Sequence, residues 1–155
     1  HRHLLDRGIR HRLVLVGDGA DGSFLRRLAA ALDITDTVIF AGYQSNPYPY
    51  MRRSRFLVNS SFTEGLPVIA MEALSLGKPL VATVPSVREA FGEETCGLIA
   101  ENSVPGLEAG MEKLLTDEAF YAQVKAGAQK RSAFFDGKRM VKEVEDMFLS
   151  LVREP

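Results

Sequence analysis

Five short apolar runs, each passing into a turn and then into a stretch with helical spacing, leave this chain few folds. The runs are Leu13-Val14-Leu15-Val16, Thr37-Val38-Ile39-Phe40, Phe56-Leu57-Val58, Pro79-Leu80-Val81-Ala82 and Gly97-Leu98-Ile99-Ala100. The first is apolar throughout rather than alternating, the pattern of a parallel strand covered on both faces. Between the runs, apolar residues recur at helical spacing, as at Leu25, Leu28, Ala29 and Leu32. Parallel strands joined by right-handed helical crossovers place helices on both sides of the sheet. The expectation is an α/β fold: a Rossmann-like, doubly wound parallel sheet of about five strands with a helical C-terminus. From Pro105 onward the pattern is helical, with one stripe of Leu107, Met111, Leu114 and Leu115, a second of Phe120 and Val124, and a third of Val141, Val144, Phe148 and Leu151.

Length bounds this to one domain, residues 1–155, large enough to bury roughly two thirds of its unfolded surface without disulfide or metal. Hydrophobic residues make up 46% and charged residues 25%, with a net charge of −1, which removes nucleic acid from the first-choice partners. Cys96, the single cysteine, has no internal partner for a disulfide, and with no signal sequence the chain reads as cytoplasmic. No apolar stretch has the length of a membrane span.

Chemistry concentrates in residues 60–74. After the run at 56–58 come small polar residues, then Glu64-Gly65-Leu66-Pro67, with Pro67 where a helix begins and Gly77 where it stops. A strand, a glycine turn and a helix N-terminus aim backbone N–H groups and the positive end of the helix dipole at an anion such as phosphate. Glu64 precedes this helix and Glu72 lies about a turn and a half inside it, with seven residues between them. Both can face one cleft. Apolar neighbours Val68, Ile69, Met71, Leu74 and Leu76 cover much of the helix, so Glu72 must leave the packing, find a partner or face a ligand. The competing structural reading is a cap at Glu64 and a solvated Glu72.

Other stretches carry weaker signals. Gly17-Asp18-Gly19-Ala20-Asp21-Gly22 matches G-x-G-x-x-G between a strand and a helix, but the next strand ends in Ala41-Gly42-Tyr43, without the acid that holds a ribose in dinucleotide sites. The Tyr- and Pro-rich segment 43–50 reads as a loop into a short helix, and Arg52, Arg53 and Arg55 as a solvated basic turn. Residues 1–12 look like a helix tail whose three histidines and four arginines form a solvated face rather than a metal site. Ser86 and Glu89 have capping-box spacing. Gly17, Gly19, Tyr43, Glu64 and Ser86 all follow the carboxyl ends of strands and should converge on one rim.

With these residues in view, the chain resembles the C-terminal, donor-binding half of the family 4 (group 1) retaining glycosyltransferases of the GT-B fold. The likeness rests on Glu64-Gly65-Leu66-Pro67-Val68 with Glu72-Ala73-Leu74, together with Val16-Gly17-Asp18-Gly19, Phe40-Ala41-Gly42-Tyr43, Gly77-Lys78-Pro79 and Gly97-Leu98-Ile99. The resemblance implies transfer of a sugar from a nucleotide-diphosphate sugar, as in polysaccharide biosynthesis, with no cofactor and no metal. It implies Glu72 on the ribose hydroxyls and Glu64 as the catalytic-site acid on the donor sugar. Backbone N–H groups after Glu64, at Gly65 and Leu66, would lie at the diphosphate with Pro67 beside them and Tyr43 beside the base, and Gly17 and Gly19 are in the donor-binding set.

It also implies an N-terminal acceptor-binding domain, a cationic Arg/Lys clamp and a first strand upstream of His1. Without that strand, the five remaining strands are expected to close up in the order 2-1-3-4-5, or a further chain to fill the slot. Peripheral membrane association of the full protein, at the inner membrane face, and an oligomer through the C-terminal helix or a sheet edge remain open. The alternatives are a dinucleotide- or nucleotide-binding Rossmann-like module and a nucleotide-sugar epimerase.

Overall fold

The computed structural model describes residues 1–135 and 137–153. In order they form α1 (Arg2–Asp6), β1 (Leu13–Val16), α2 (Gly22–Ala31), β2 (Val38–Gly42), α3 (Tyr48–Arg53), β3 (Leu57–Asn59), α4 (Val68–Ser75), β4 (Leu80–Ala82), α5 (Val87–Phe91), β5 (Gly97–Ile99), α6 (Val104–Thr116), α7 (Glu118–Ser132) and α8 (Gly137–Arg153). All described pairings are parallel, and the Rossmann-like α/β expectation holds.

Side chains of β3 and β4 alternate between two helical layers. Leu57, Leu80 and Ala82 pack with Ala70 and Leu74 of α4, Val87 and Phe91 of α5 and Ala128 of α7. Val58 and Val81 face the other way, onto Leu107 and Leu114 of α6 and Val124 of α7. β4 is fully buried, as a central parallel strand should be. Close approach there depends on glycine: a Cβ at Gly97 would stand 1.8 Å from the Leu80 carbonyl oxygen, and one at Gly110 of α6 would stand 2.9 Å from Val81.

One expectation is corrected. The strands do not close into a single sheet in the order 2-1-3-4-5: β1 pairs only with β2, and β3-β4-β5 form a separate sheet. Packing outside the strands sets this spacing. Buried Leu4 seats α1, which is tied to α6 by a 2.8 Å hydrogen bond between His3 Nδ1 and Glu108 and by ion pairs from Arg7 to Glu108 and Glu112. Buried Met51 and the 2.9 Å bond from Lys78 Nζ to the Ser54 carbonyl anchor the α3 segment.

The N-terminal histidines and arginines are therefore not simply a solvated face. β1 is not covered on both faces either: Leu13 and Leu15 pack with Ala29 of α2 and Val38, while Val14, Val16 and Ile39 are exposed. On α8, Val141, Val144 and Phe148 are exposed, and the side chain of Leu151 is outside the described ones.

Candidate functional site

β3 ends on Asn59, a buried polar residue. Its amide serves the following loop from both ends. Oδ1 accepts the Ser61 N–H at 3.0 Å, and Nδ2 donates to Glu64 Oε1 at 3.1 Å. The Ser61 hydroxyl donates to that same carboxylate oxygen. Neighbouring strand ends hold the loop backbone: Thr83 Oγ1 donates to the Ser61 carbonyl at 2.6 Å, Ser86 Oγ to the Glu64 carbonyl at 3.1 Å, and Asn102 Nδ2 to the carbonyls of Ser61 and Phe62 at 3.4 Å. Hydrogen bonds from Ser61 and then Asn59 hold the Glu64 carboxyl below its ordinary pKa, against a smaller opposing effect of desolvation. Glu64 is thus an ionised acceptor at neutral pH.

Two capping expectations fall here. Ser86 makes no side-chain cap on α5, because its φ of −59° and ψ of −21° are already helical; its hydroxyl turns to Glu64 instead. Glu64 does not cap α4 either. The position before α4 is Pro67, whose ψ of 118° makes it the last extended residue rather than the first helical one. Its ring is buried. Beyond it the first N–H groups of α4 have no partner within the helix, and the positive end of the dipole lies there. At the other end, Gly77 with φ +63° closes the helix, its N–H bonding the Leu74 carbonyl at 2.9 Å and the Lys78 N–H the Ala73 carbonyl at 2.9 Å.

Glu72 lies in the second turn of α4, where Ala70, Ala73 and Leu74 take the buried side. It has a partner that sequence reasoning missed: the Tyr48 hydroxyl, from the first turn of α3, donates to Glu72 Oε1 at 3.1 Å. The Glu72 carboxylate raises the Tyr48 pKa, first through that bond, so Tyr48 stays a neutral donor. Prolines at 47 and 49 are the legible signal for the short helix that delivers it. Asn59 and Ser61 were equally unassigned; their signal is an asparagine ending an apolar run with hydroxyls behind it.

The remaining site residues are more loosely gathered. Gly17, with φ +130°, ends β1 and donates its N–H to the Gly42 carbonyl at 2.8 Å, and the Gly19 N–H is held by Asp18 at 2.9 Å. Tyr43 stands 76% exposed. Described contacts join Gly17 to Gly42, Tyr48 to Glu72 and Ser86 to Glu64, but none joins the 17–22 loop to Glu64. A cavity of about 630 Å³ opens beside Tyr48, lined also by Asn46, Arg52, Arg53 and Ser75. Arg55 is not a solvated residue: it bonds Glu118 at 2.7 Å and the Leu114 carbonyl at 3.0 Å, and lies 3.7 Å over the Tyr121 ring. Among the described residues no group of three or more His, Cys, Asp and Glu is placed to hold a metal ion, and no helix is long and apolar enough to cross a membrane.

Known proteins resemble this chain in sequence and in fold. The family described as Glycosyl transferases group 1 matches residues 2–131. An N-acetylgalactosamine-N,N'-diacetylbacillosaminyl-diphospho-undecaprenol 4-alpha-N-acetylgalactosaminyltransferase of Campylobacter jejuni is 27% identical over 85% of this chain and 37% of its own length. A D-inositol 3-phosphate glycosyltransferase of Salinispora tropica is 34% identical over 91% of this chain and 31% of its own. The chain therefore spans about a third of the length of these relatives. Among solved structures, the pneumococcal O-GlcNAc transferase GtfA, in complex with UDP and GlcNAc, superposes with a TM-score of 0.80 at 18% identity over 99% of this chain and 32% of that one. Anabaena HepE in complex with UDP-glucose gives 0.73 at 20% identity over 95% of this chain and 44% of that one.

Proposed function

The chain belongs to the group 1 glycosyltransferases, and from that premise we propose that it is the donor-binding part of a family 4, retaining, GT-B enzyme. The observation that carries the reading is a pair of partly buried carboxylates, Glu64 and Glu72, on either side of the start of α4, each already bonded on one oxygen from within the chain. Glu72 accepts from the ribose hydroxyls and Glu64 from hydroxyls of the sugar. The backbone at Gly65, Leu66 and Pro67, with the N-terminal end of α4, takes the diphosphate, where oriented N–H groups offset the charge that grows on the leaving group. Tyr43 borders the base, and Gly17 and Gly19 line the site from the β1 end. The site requires no metal, so EDTA leaves binding unchanged.

Support for a nucleotide-sugar comes from the bound UDP and UDP-glucose of the two solved neighbours. Acceptor binding belongs to parts of the longer protein beyond this chain, so the chain binds donor and the whole protein transfers. A dinucleotide site on Gly17, Gly19 and Gly22 is the second reading, favoured by the observed order β1, glycine loop, α2. Thermal stability measured against UDP-, GDP- and ADP-sugars beside NAD separates the two, because a ligand at a hundred times its Kd adds about 2.7 kcal/mol. Stabilisation by NAD alone sinks the donor reading.

A further inference from the structure

We propose that Asn59 and Ser61 are positioning residues for Glu64: together they occupy its Oε1 from inside the chain, so that Oε2 alone is presented to a sugar hydroxyl. The proposal rests on the assignment of Glu64 to the donor site.

A turn that merely ends β3 needs only the Asn59 Oδ1 bond to the Ser61 N–H. The structure has more. Asn59 is buried, yet spends its amide Nδ2 on Glu64, and the Ser61 hydroxyl meets that donor at the same oxygen. A carboxylate oxygen offers two lone-pair directions, so Oε1 is filled. No described side chain bonds Oε2.

The backbone beneath is independently clamped, at the Ser61 carbonyl by Thr83 and at the Glu64 carbonyl by Ser86. Those clamps touch no side-chain atom of Ser61, so removing its hydroxyl takes one of the two donors from the carboxylate without releasing the loop. The groups that act on the Glu64 carboxyl are the Ser61 hydroxyl and the Asn59 amide, with Ser86 on its backbone; no charged side chain contributes among the described residues. A long, flexible acid immobilised before the ligand arrives need not be ordered on binding, which is where preorganisation gains affinity.

The test uses three variants of the chain. Asn59→Asp keeps the turn acceptor but replaces the donor with a like charge. Ser61→Ala removes the second donor, and Ser61→Thr restores a hydroxyl. Two measurements are made: the ¹³C NMR titration of the Glu64 carboxyl, assigned with Glu64→Gln, and calorimetric binding of UDP-, ADP- and GDP-glucose across pH. In the unmodified chain Glu64 titrates below an ordinary glutamate. Its midpoint rises in Asn59→Asp and Ser61→Ala and returns in Ser61→Thr. Affinity falls about tenfold in the first two, the scale of one hydrogen bond to a charged group, and the acid limb of binding moves to higher pH.

An unmoved midpoint in Ser61→Ala overturns the proposal whether or not Asn59→Asp folds. So does a moved midpoint with unaltered sugar-nucleotide affinity. If the unmodified chain binds none of the three nucleotide sugars, the donor assignment fails, while a raised midpoint in the variants still establishes that Asn59 and Ser61 position Glu64.

Discussion

Single residues in this chain divide by whether their space is already full. A Cβ at Gly65 would meet nothing within 4 Å, and the backbone there has no positive φ, so Gly65→Ala should leave melting unchanged. If backbone at that position lies against a diphosphate, the same methyl should weaken UDP-glucose binding in calorimetry. Glu72→Ala is the companion test at the ribose. It should abolish binding while stability stays within about 0.5 kcal/mol, the range of surface substitutions; a variant that unfolds yet binds normally in its folded fraction removes Glu72 from the site. Cys96 is the opposite kind of residue, fully buried, with its thiol pushed up from 9.0 to about 11 chiefly by desolvation. A folded pKa raised above the unfolded one adds stability that is complete below pH 9.0 and is lost as pH rises toward about 11. Denaturant titrations across that window should show a larger loss in the parent chain than in Cys96→Ala, where the Tyr48 and Lys130 contributions remain.

At the scale of elements, the central fact is that β4, β5 and α6 are joined with almost no tolerance. Gly97→Ala would drive a methyl to 1.8 Å from the Leu80 carbonyl oxygen, breaking β4–β5 pairing. A loss of about 3 kcal/mol or more in chemical denaturation is expected, beyond ordinary overpacking. Pro67→Gly acts at the start of α4. It frees the backbone before α4 and removes a buried ring, so it should destabilise by about 1 kcal/mol or more and weaken donor binding together. Unchanged affinity in that variant would take the start of α4 out of the site.

For the whole molecule, the division into two sheets predicts an order of opening. β1–β2 is a two-stranded ribbon with Val14, Val16 and Ile39 exposed, whereas β4 is paired on both edges and buried on both faces. Two-stranded units are marginal by themselves, and local opening follows buried contact. Native-state hydrogen exchange should therefore find the amides of Leu13–Val16 and Val38–Gly42 less protected than those of Leu80–Ala82. Equal protection in both sheets would mean that the helix anchors at Leu4 and Met51 couple the halves more tightly than the strand pairing suggests.

Local chemistry in the sequence determined the elements and the family. Continuous apolar runs place all five strands to within two residues, Gly77 stops α4 as its position requires, and Glu64-Gly65-Leu66-Pro67 with Glu72 marks the likeness from linear order alone. These are properties of neighbouring residues, whose backbone preferences and spacing act over a few positions. Tertiary structure alone decided the partners. Tyr48 meets Glu72 across 24 positions and Ser86 meets Glu64 across 22, distances over which no pattern in the sequence assigns a hydroxyl to one acceptor rather than another. The split of the sheet was decided in the same way. Strand pairing depends on where buried helices hold the strands, and the anchoring of Leu4, Met51 and the ion pairs from Arg7 to α6 is a sum of long-range contacts that no local stretch encodes.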